Sequence, residues 1–195
     1  MRPRRPAYVP GHYYHIYNRG ANREPIFRSS DNYAFVLRRM KQYCRELALT
    51  VIAYCLMPNH YHWLLRQEGD QAAGLLGKRG FISYSKAYNK RYERSGTLFE
   101  GPYKVIQIEE HAHLTHLCRY IHANPVAHGV VTEIGEWPYS NYFEWVELRG
   151  GTLVDRAFVQ EHFTAASHEA FVRAYLRERR LPERVEKYLA SWEAG

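Results

Sequence analysis

Polar and apolar positions alternate with a period of two over residues 12–17, His12-Tyr-Tyr-His-Ile-Tyr17, as far as the turn-forming Asn18-Arg-Gly-Ala-Asn22. This predicts a first strand. From Asp31, the expected N-cap, the apolar residues Phe35, Leu37, Met40, Tyr43, Cys44 and Leu47 recur at helical spacing and predict a helix over 32–47. The unbroken apolar run 49–57 reads as a central strand buried on both faces. Alternation resumes over 60–66, so Pro58-Asn59 should close an antiparallel hairpin. A second helix is expected over 71–92, interrupted near Gly77 to Gly80 and ended by Ser95-Gly96. Residues 103–108 predict another strand. Residues 109–123 predict a third helix, stopped at Asn124-Pro125 because proline disfavours helical geometry in the residue before it.

The order β-α-β-β-α-β-α predicts an α+β fold of the ferredoxin-like, split βαβ kind, an antiparallel sheet with helices on one face. Beyond about 135 the composition shifts to an aromatic cluster of Trp137, Tyr139, Tyr142, Phe143 and Trp145, and 155–192 reads as two or three helices with charged faces. The expected division is a domain over 1–145 and a helical C-terminal extension over 146–195.

The 195 residues are 46% hydrophobic and 24% charged, which describes a soluble globular chain and excludes a disordered or collagen-like one. No apolar run is long enough to span a membrane, and the basic start Met1-Arg-Pro-Arg-Arg-Pro lacks the apolar stretch of a secretion signal. Cys44, Cys55 and Cys118, odd in number and widely spaced, read as reduced core thiols, so a cytoplasmic location is expected. Net charge changes the picture more. Residues 1–100 carry 17 Lys+Arg against 7 Asp+Glu, or +10, and residues 101–195 carry 10 against 13, or −3, which sums to the +7 of the whole chain. With 17 Tyr against 8 Phe, rings that stack on bases and donate to phosphates are plentiful, and nucleic acid is the expected partner.

The densest chemical signal is Pro58-Asn-His-Tyr-His-Trp63. On a strand His60 and His62 stand on one face, roughly 6.6 Å apart along the backbone, and can converge on a divalent ion, while Tyr61 and Trp63 point the other way. The same spacing also serves two surface histidines satisfied by hydrogen bonds. Tyr120 and Asn124, spaced i and i+4, share one helical face. They could join the imidazoles to give a ligand set of His60, His62 and Asn124 with Tyr120 beside it. Asn-Pro is equally a common helix stop, and tyrosine a common packing residue. Tyr84, Tyr88 and Tyr92 lie in a basic segment with Lys86, Lys90, Arg91 and Arg94, where they pack or stack on DNA, and Tyr84 is a reserve candidate nucleophile. Arg19, Asn22 and Arg23 in the first turn, together with Arg94 and Lys104, are candidate nucleic-acid contacts.

Four blocks together carry a resemblance: Tyr14-His-Ile-Tyr-Asn-Arg-Gly20, Tyr54-Cys-Leu-Met-Pro-Asn-His-Tyr-His-Trp-Leu-Leu65, Arg94-Ser-Gly-Thr-Leu-Phe-Glu-Gly-Pro-Tyr-Lys104 and Arg119-Tyr-Ile-His-Ala-Asn-Pro-Val126. In this order the chain resembles the HUH single-tyrosine transposases over about 8–145, most of all the branch associated with repetitive extragenic palindromes (REP). The resemblance implies an endonuclease that cleaves single-stranded DNA beside hairpins. It implies His60 and His62 as ligands of Mg²⁺ or Mn²⁺, Asn124 as third ligand and Tyr120 as nucleophile. The partner is then hairpin-bearing single-stranded DNA, with no membrane involved, and the chain acts as a monomer or homodimer.

The implied chemistry is attack by Tyr120 on phosphorus, giving a 5′-phosphotyrosyl enzyme and a free 3′-hydroxyl, reversible on a second strand without ATP. Three neutral ligands leave the ion its full charge for the phosphate, and because imidazole holds Mg²⁺ weakly, Mn²⁺ should serve at least as well. Two other readings keep the fold: a replication or conjugation nickase of the same chemistry, and a domesticated DNA- or RNA-binding protein that does not cleave.

Overall fold

The computed structural model describes residues 6–193, so the basic stretch read at the start of the sequence lies largely outside the described residues. Strands β1 (Tyr13–Arg19), β2 (Leu49–Leu56), β3 (His60–Gln67) and β4 (Lys104–Ile108) pair in the order β2-β3-β1-β4, every pair antiparallel. Helix α1 (Ser30–Glu46) joins β1 to β2, and α2 (Gly74–Arg91) joins β3 to β4. Because β3 is inserted between β1 and β2, this is the split βαβ arrangement the element order predicts.

Period-two alternation sends Tyr14, Ile16, Tyr61, Trp63 and Leu65 to one face, where they pack with Met40 of α1 and Phe81 and Tyr84 of α2. The expected one-sided arrangement describes these two helices. The other face presents Ile52, Ala53, Cys55 and Leu64, and it is covered as well, by α3 (His111–Ala127) through Leu117, Cys118 and Ile121. Left bare, those side chains would form an apolar patch too large for a free surface. The same core cluster takes in Trp145, Phe158, Val172, Tyr175, Val185 and Leu189 from α4 (Tyr142–Trp145), α5 (Arg156–His162), α6 (Ala165–Glu178) and α7 (Glu183–Glu193). The apolar core is therefore continuous across residue 145.

The apolar run 49–57 is buried on both faces as expected, yet β2 is an edge strand rather than a central one. Its outer edge is paired by the segment after α3. Leu56 N–H donates to Tyr139 O (2.9 Å), Asp155 N–H to Val51 O (2.9 Å), and Trp145 Nε1–H to Ile52 O (3.1 Å). The aromatic cluster thus closes an edge that would otherwise template pairing with another chain. At its centre is Asn141, fully buried: its Oδ1 accepts from Tyr54 N (2.8 Å) and its Nδ2 donates to Ile52 O (2.9 Å). Asn141→Ala strands the Tyr54 N–H in the core and takes from Ile52 O one of its two side-chain donors, so urea unfolding should show a loss of about 3 kcal/mol or more. A loss under about 1 kcal/mol would contradict this role.

Asn141 Oδ1 also accepts from His122 Nε2 (3.0 Å), which leaves His122 Nδ1 to accept from His168 Nε2 (2.8 Å). Burial lowers the pKa of His122 to about 4 and that of His168 well below the usual value, so both are neutral in the folded chain. Above pH 6.5 neither state binds the proton. Between 6.5 and 4 the unfolded chain takes protons that the folded chain refuses, and stability falls by roughly 1.4 kcal/mol per pH unit for each histidine. The thermal midpoint should therefore drop steeply between pH 7 and pH 5; a flat profile would mean these rings are not buried neutral.

Three local expectations are corrected. The N-cap of α1 is Ser29 rather than Asp31, with Asn32 Oδ1 accepting from the backbone N–H of Arg28 (2.9 Å) and Ser29 (3.2 Å). Helix α2 is unbroken at Gly77 to Gly80, because these glycines admit neighbours: a Cβ on Gly77 would sit 2.9 Å from the Tyr103 ring, and one on Gly80 3.1 Å from Met40 Sδ. Helix α3 runs through Asn124 and Pro125 to Ala127. Proline removes a single amide donor, and His128 N–H still closes the last turn on Asn124 O (2.9 Å). That extension keeps Asn124 helical, one turn from Tyr120.

Candidate functional site

The strand register builds the site. Cys55, His62, Tyr17 and Lys104 are direct partners across β2, β3, β1 and β4, and His60 is opposite Arg19, so all six side chains project from the α3 face. The rings of His60 and His62 lie 5.2 Å apart, and Tyr61 and Trp63 are buried behind them, as the period-two reading requires. Helix α3 crosses this face. The Tyr120 ring stands edge-on to His62 with centroids 5.6 Å apart, and Asn124 Oδ1 is 3.2 Å from His60 Nε2. The four residues singled out in the sequence, from a strand and a helix some sixty positions later, therefore meet.

Hydrogen bonds fix which atoms face one another. Asn59 Nδ2 donates to Arg23 O (3.1 Å), which turns its Oδ1 to His60 Nδ1 at 2.7 Å. Asn124 Nδ2 donates to Tyr120 O (2.8 Å), which turns its Oδ1 to His60 Nε2. Both nitrogens of His60 thus face oxygens that only accept. Burial lowers its pKa to about 3, partly offset by the Asn124 contact, so the ring is neutral and has one N–H to give. The shorter contact takes it. His60 Nε2 then presents a lone pair beside the lone pairs of Asn124 Oδ1, an unfavourable meeting that a cation between them relieves. His62 is likewise held neutral by burial, and its Nδ1 lies 3.0 Å from His15 Nε2. With that nitrogen engaged by His15, Nε2 is the nitrogen on the Asn124 side, where an ion would be taken.

Among the described residues no group of three or more His, Cys, Asp or Glu is arranged to hold a metal. The donor set here is of another kind, two neutral imidazoles and an amide oxygen. It fits a divalent ion such as Mn²⁺, and Mg²⁺ more weakly, through His60, His62 and Asn124.

Tyr120 and His60 open onto a cavity of about 680 Å³, lined also by Arg19, Arg23, His128, Tyr175 and Arg179. Arg19 is buried and paired with Glu100 (2.8 Å), while Arg23 follows Asn22 in a turn where both have left-handed backbone. Lys104 is exposed at the sheet edge, in line with Tyr17 and His62. The remaining candidate contacts lie elsewhere. Lys86 and Lys90 are exposed on α2, Arg91 pairs with Asp31 (2.9 Å), Arg94 approaches Glu24 (3.7 Å), and none of the four lines the cavity. The reserve nucleophile Tyr84 packs on the opposite face of the sheet, its hydroxyl bonded to Ile26 O, and burial raises its pKa. That placement removes it from chemistry at the imidazoles.

Sequence reasoning missed His15, His128, Tyr175 and Arg179. His15 stands two residues before Tyr17 on the imidazole face, so period two contained the signal once β1 was paired with β3. His128 follows Asn124 by one turn and was hidden by ending α3 at 123. Tyr175 and Arg179 carry no local signal, because they reach the cavity through the packing of α6 on α3.

The site is thus a four-stranded antiparallel sheet carrying two adjacent imidazoles, faced by a tyrosine and an asparagine on a helix. Residues 8–124 match the family described as "Transposase IS200 like", and the chain belongs to that family. It is 27% identical over 113 residues to a Haemophilus influenzae protein provisionally named a REP-associated tyrosine transposase; the match covers 52% of this chain and 64% of that protein's own length. A solved structure of a REP-associated tyrosine transposase bound to a REP hairpin superposes with a TM-score of 0.62 at 18% identity, over 80% of this chain and 98% of the other. That likeness shows the fold, the C-terminal helices included. No helix among the described residues is long and apolar enough to cross a membrane.

Proposed function

We propose that the chain is a metal-dependent endonuclease and strand transferase acting on hairpin-bearing single-stranded DNA, with Tyr120 as its nucleophile. The observation that carries this reading is the meeting of Tyr120, His60, His62 and Asn124, with Tyr120 and His60 at the wall of one cavity and His62 and Asn124 buried directly behind them. A protein that only bound DNA would have no need of an ion site facing a phenol. The transposase family and the hairpin held by the structural relative support the same substrate.

Tyr120 is held by its ring against His62, lines the cavity, and sits on a helix anchored by the core. Ionising a phenol of ordinary pKa near 10 costs about 4 kcal/mol at pH 7. A divalent ion bound by His60, His62 and Asn124 would offset part of that cost and polarise the scissile phosphate. The Tyr120 oxygen forms a bond to phosphorus, the bond from phosphorus to the 3′-oxygen breaks, and the leaving oxygen keeps the electron pair and takes a proton. The product is a 5′-phosphotyrosyl linkage and a free 3′-hydroxyl. The linkage conserves the phosphodiester energy, so a second 3′-hydroxyl can reverse the step on another strand. His15 and Asn59 orient the two rings, which burial keeps neutral.

The test is incubation of the full chain with end-labelled hairpin DNA and Mn²⁺, resolved on a denaturing gel. A covalent protein–DNA band is expected with hairpin-bearing single strands and not with blunt duplex. Its absence under all divalent ions would defeat the reading.

A further inference from the structure

The cavity is completed by residues beyond the segment matched to the family, and one of them is an arginine at a backbone position that seldom holds one. Helix α6 ends at Arg179, whose φ of 55° and ψ of 28° are left-handed, with its N–H on Tyr175 O (2.7 Å). At such a helix end glycine, or sometimes asparagine, is the ordinary residue, because a Cβ is strained there. Six non-glycine residues among those described have positive φ; two are arginines, Arg23 and Arg179, and both line the cavity that holds Tyr120. Strain kept at a site is a pointer to function when the side chain has somewhere to act.

The surrounding contacts hold this helix end in place. Arg119, the residue before Tyr120, donates to Arg180 O (3.0 Å) and stacks over Phe171 (4.3 Å) and Tyr175 (5.6 Å). The Tyr175 ring in turn stands 6.2 Å from that of Tyr120. The segment carrying Arg179 is thus fastened to the turn of α3 that carries Tyr120. Several arginines are ion-paired: Arg19 with Glu100, Arg173 with Glu133 and Glu169, Arg184 with Glu109 and Glu110. Among the described residues no ion pair engages Arg179, whose side chain is exposed at the cavity.

We propose that Arg179 is a DNA phosphate contact of this cavity, a cation supplied by the C-terminal helices to the strand lying across Tyr120. The assignment deepens the cleavage reading given above and rests on it for the identity of the strand. A guanidinium suits a phosphate diester by geometry as well as charge.

The experiment measures binding of the full chain to hairpin-bearing single-stranded DNA as a function of salt, without divalent ion so that no cleavage intervenes. The variants are Arg179→Gly, Arg179→Lys and, as a control on the outer side of α6, Arg173→Ala. Arg179→Gly relieves the backbone strain, so its melting temperature should match or exceed that of the unchanged chain. Its binding should nevertheless weaken roughly fivefold, uniformly across sequences, and the slope of log K against log salt should become shallower by about 0.7, the value of one single-strand phosphate contact. Arg179→Lys should keep the slope, and Arg173→Ala should change neither quantity. An unchanged slope and affinity in a folded Arg179→Gly would overturn the assignment, as would an equal loss in Arg173→Ala. The readout is separate from cleavage: failure of the unchanged chain to form a covalent adduct counts against the nucleophile reading, while a lost slope unit still supports the phosphate contact.

Discussion

Tyr120→Phe should abolish covalent capture of hairpin DNA, with the rate falling about a thousandfold or more, while binding and stability stay close to those of the unchanged chain. The substitution removes one oxygen and leaves the ring that packs against His62 and Tyr175. A loss of activity in this variant therefore cannot be assigned to a collapsed site. The size of the effect follows from the role: removing a nucleophile removes the bond it forms, and only transition-state contacts made by other groups survive. Circular dichroism and salt-dependent DNA binding supply the controls. An adduct that persists in Tyr120→Phe would move the nucleophile to another residue. Tyr84 is a poor replacement, because its hydroxyl is spent on Ile26 O behind the sheet.

The second large effect is expected at His60. His60→Ala removes one imidazole of the set and leaves Asn124 Oδ1 without its neighbour, so divalent-ion affinity and adduct formation should both fall at least about a hundredfold, and chelation of the unchanged chain should reproduce the loss. Asn59→Ala is the informative comparison. Asn59 faces His60 Nδ1, so its removal releases the ring's orientation and lets the N–H shift to Nε2, while the imidazole itself stays in place for an ion to recapture. It should cost about tenfold and be largely rescued by excess Mn²⁺, whereas His60→Ala should not be. Equal losses in the two variants would mean that the ring serves as a hydrogen-bonding post and not as a ligand.

How much of this was visible in the chain alone differs from element to element. The alternation over 60–66 placed both imidazoles on one face because strand geometry has period two and nothing in the packing competes with it. The i, i+4 spacing of Tyr120 and Asn124 survived a wrong helix boundary, since Pro125 costs α3 a donor without ending it. What stayed hidden was non-local. The uninterrupted apolar run of β2 looks central, and its being an edge becomes clear only when Tyr139, Asn141 and Trp145 are seen bonded along it. The glycines of α2 looked like breakers, because sequence does not tell a glycine that ends a helix from one that lets Tyr103 or Met40 approach. Arg179 had no signature at all: its relevance comes from a left-handed backbone and from docking of α6 beside Tyr120.

The central claim is that two imidazoles, an amide oxygen and a phenol surround one divalent ion. The most direct measurement is anomalous scattering at the manganese edge from crystals of the full chain soaked in Mn²⁺. The account predicts one strong peak within about 2.0–2.3 Å of His60 Nε2, His62 Nε2 and Asn124 Oδ1, with the Tyr120 hydroxyl facing it across the cavity. A peak bound elsewhere, or none at a concentration that supports DNA cleavage, would contradict it.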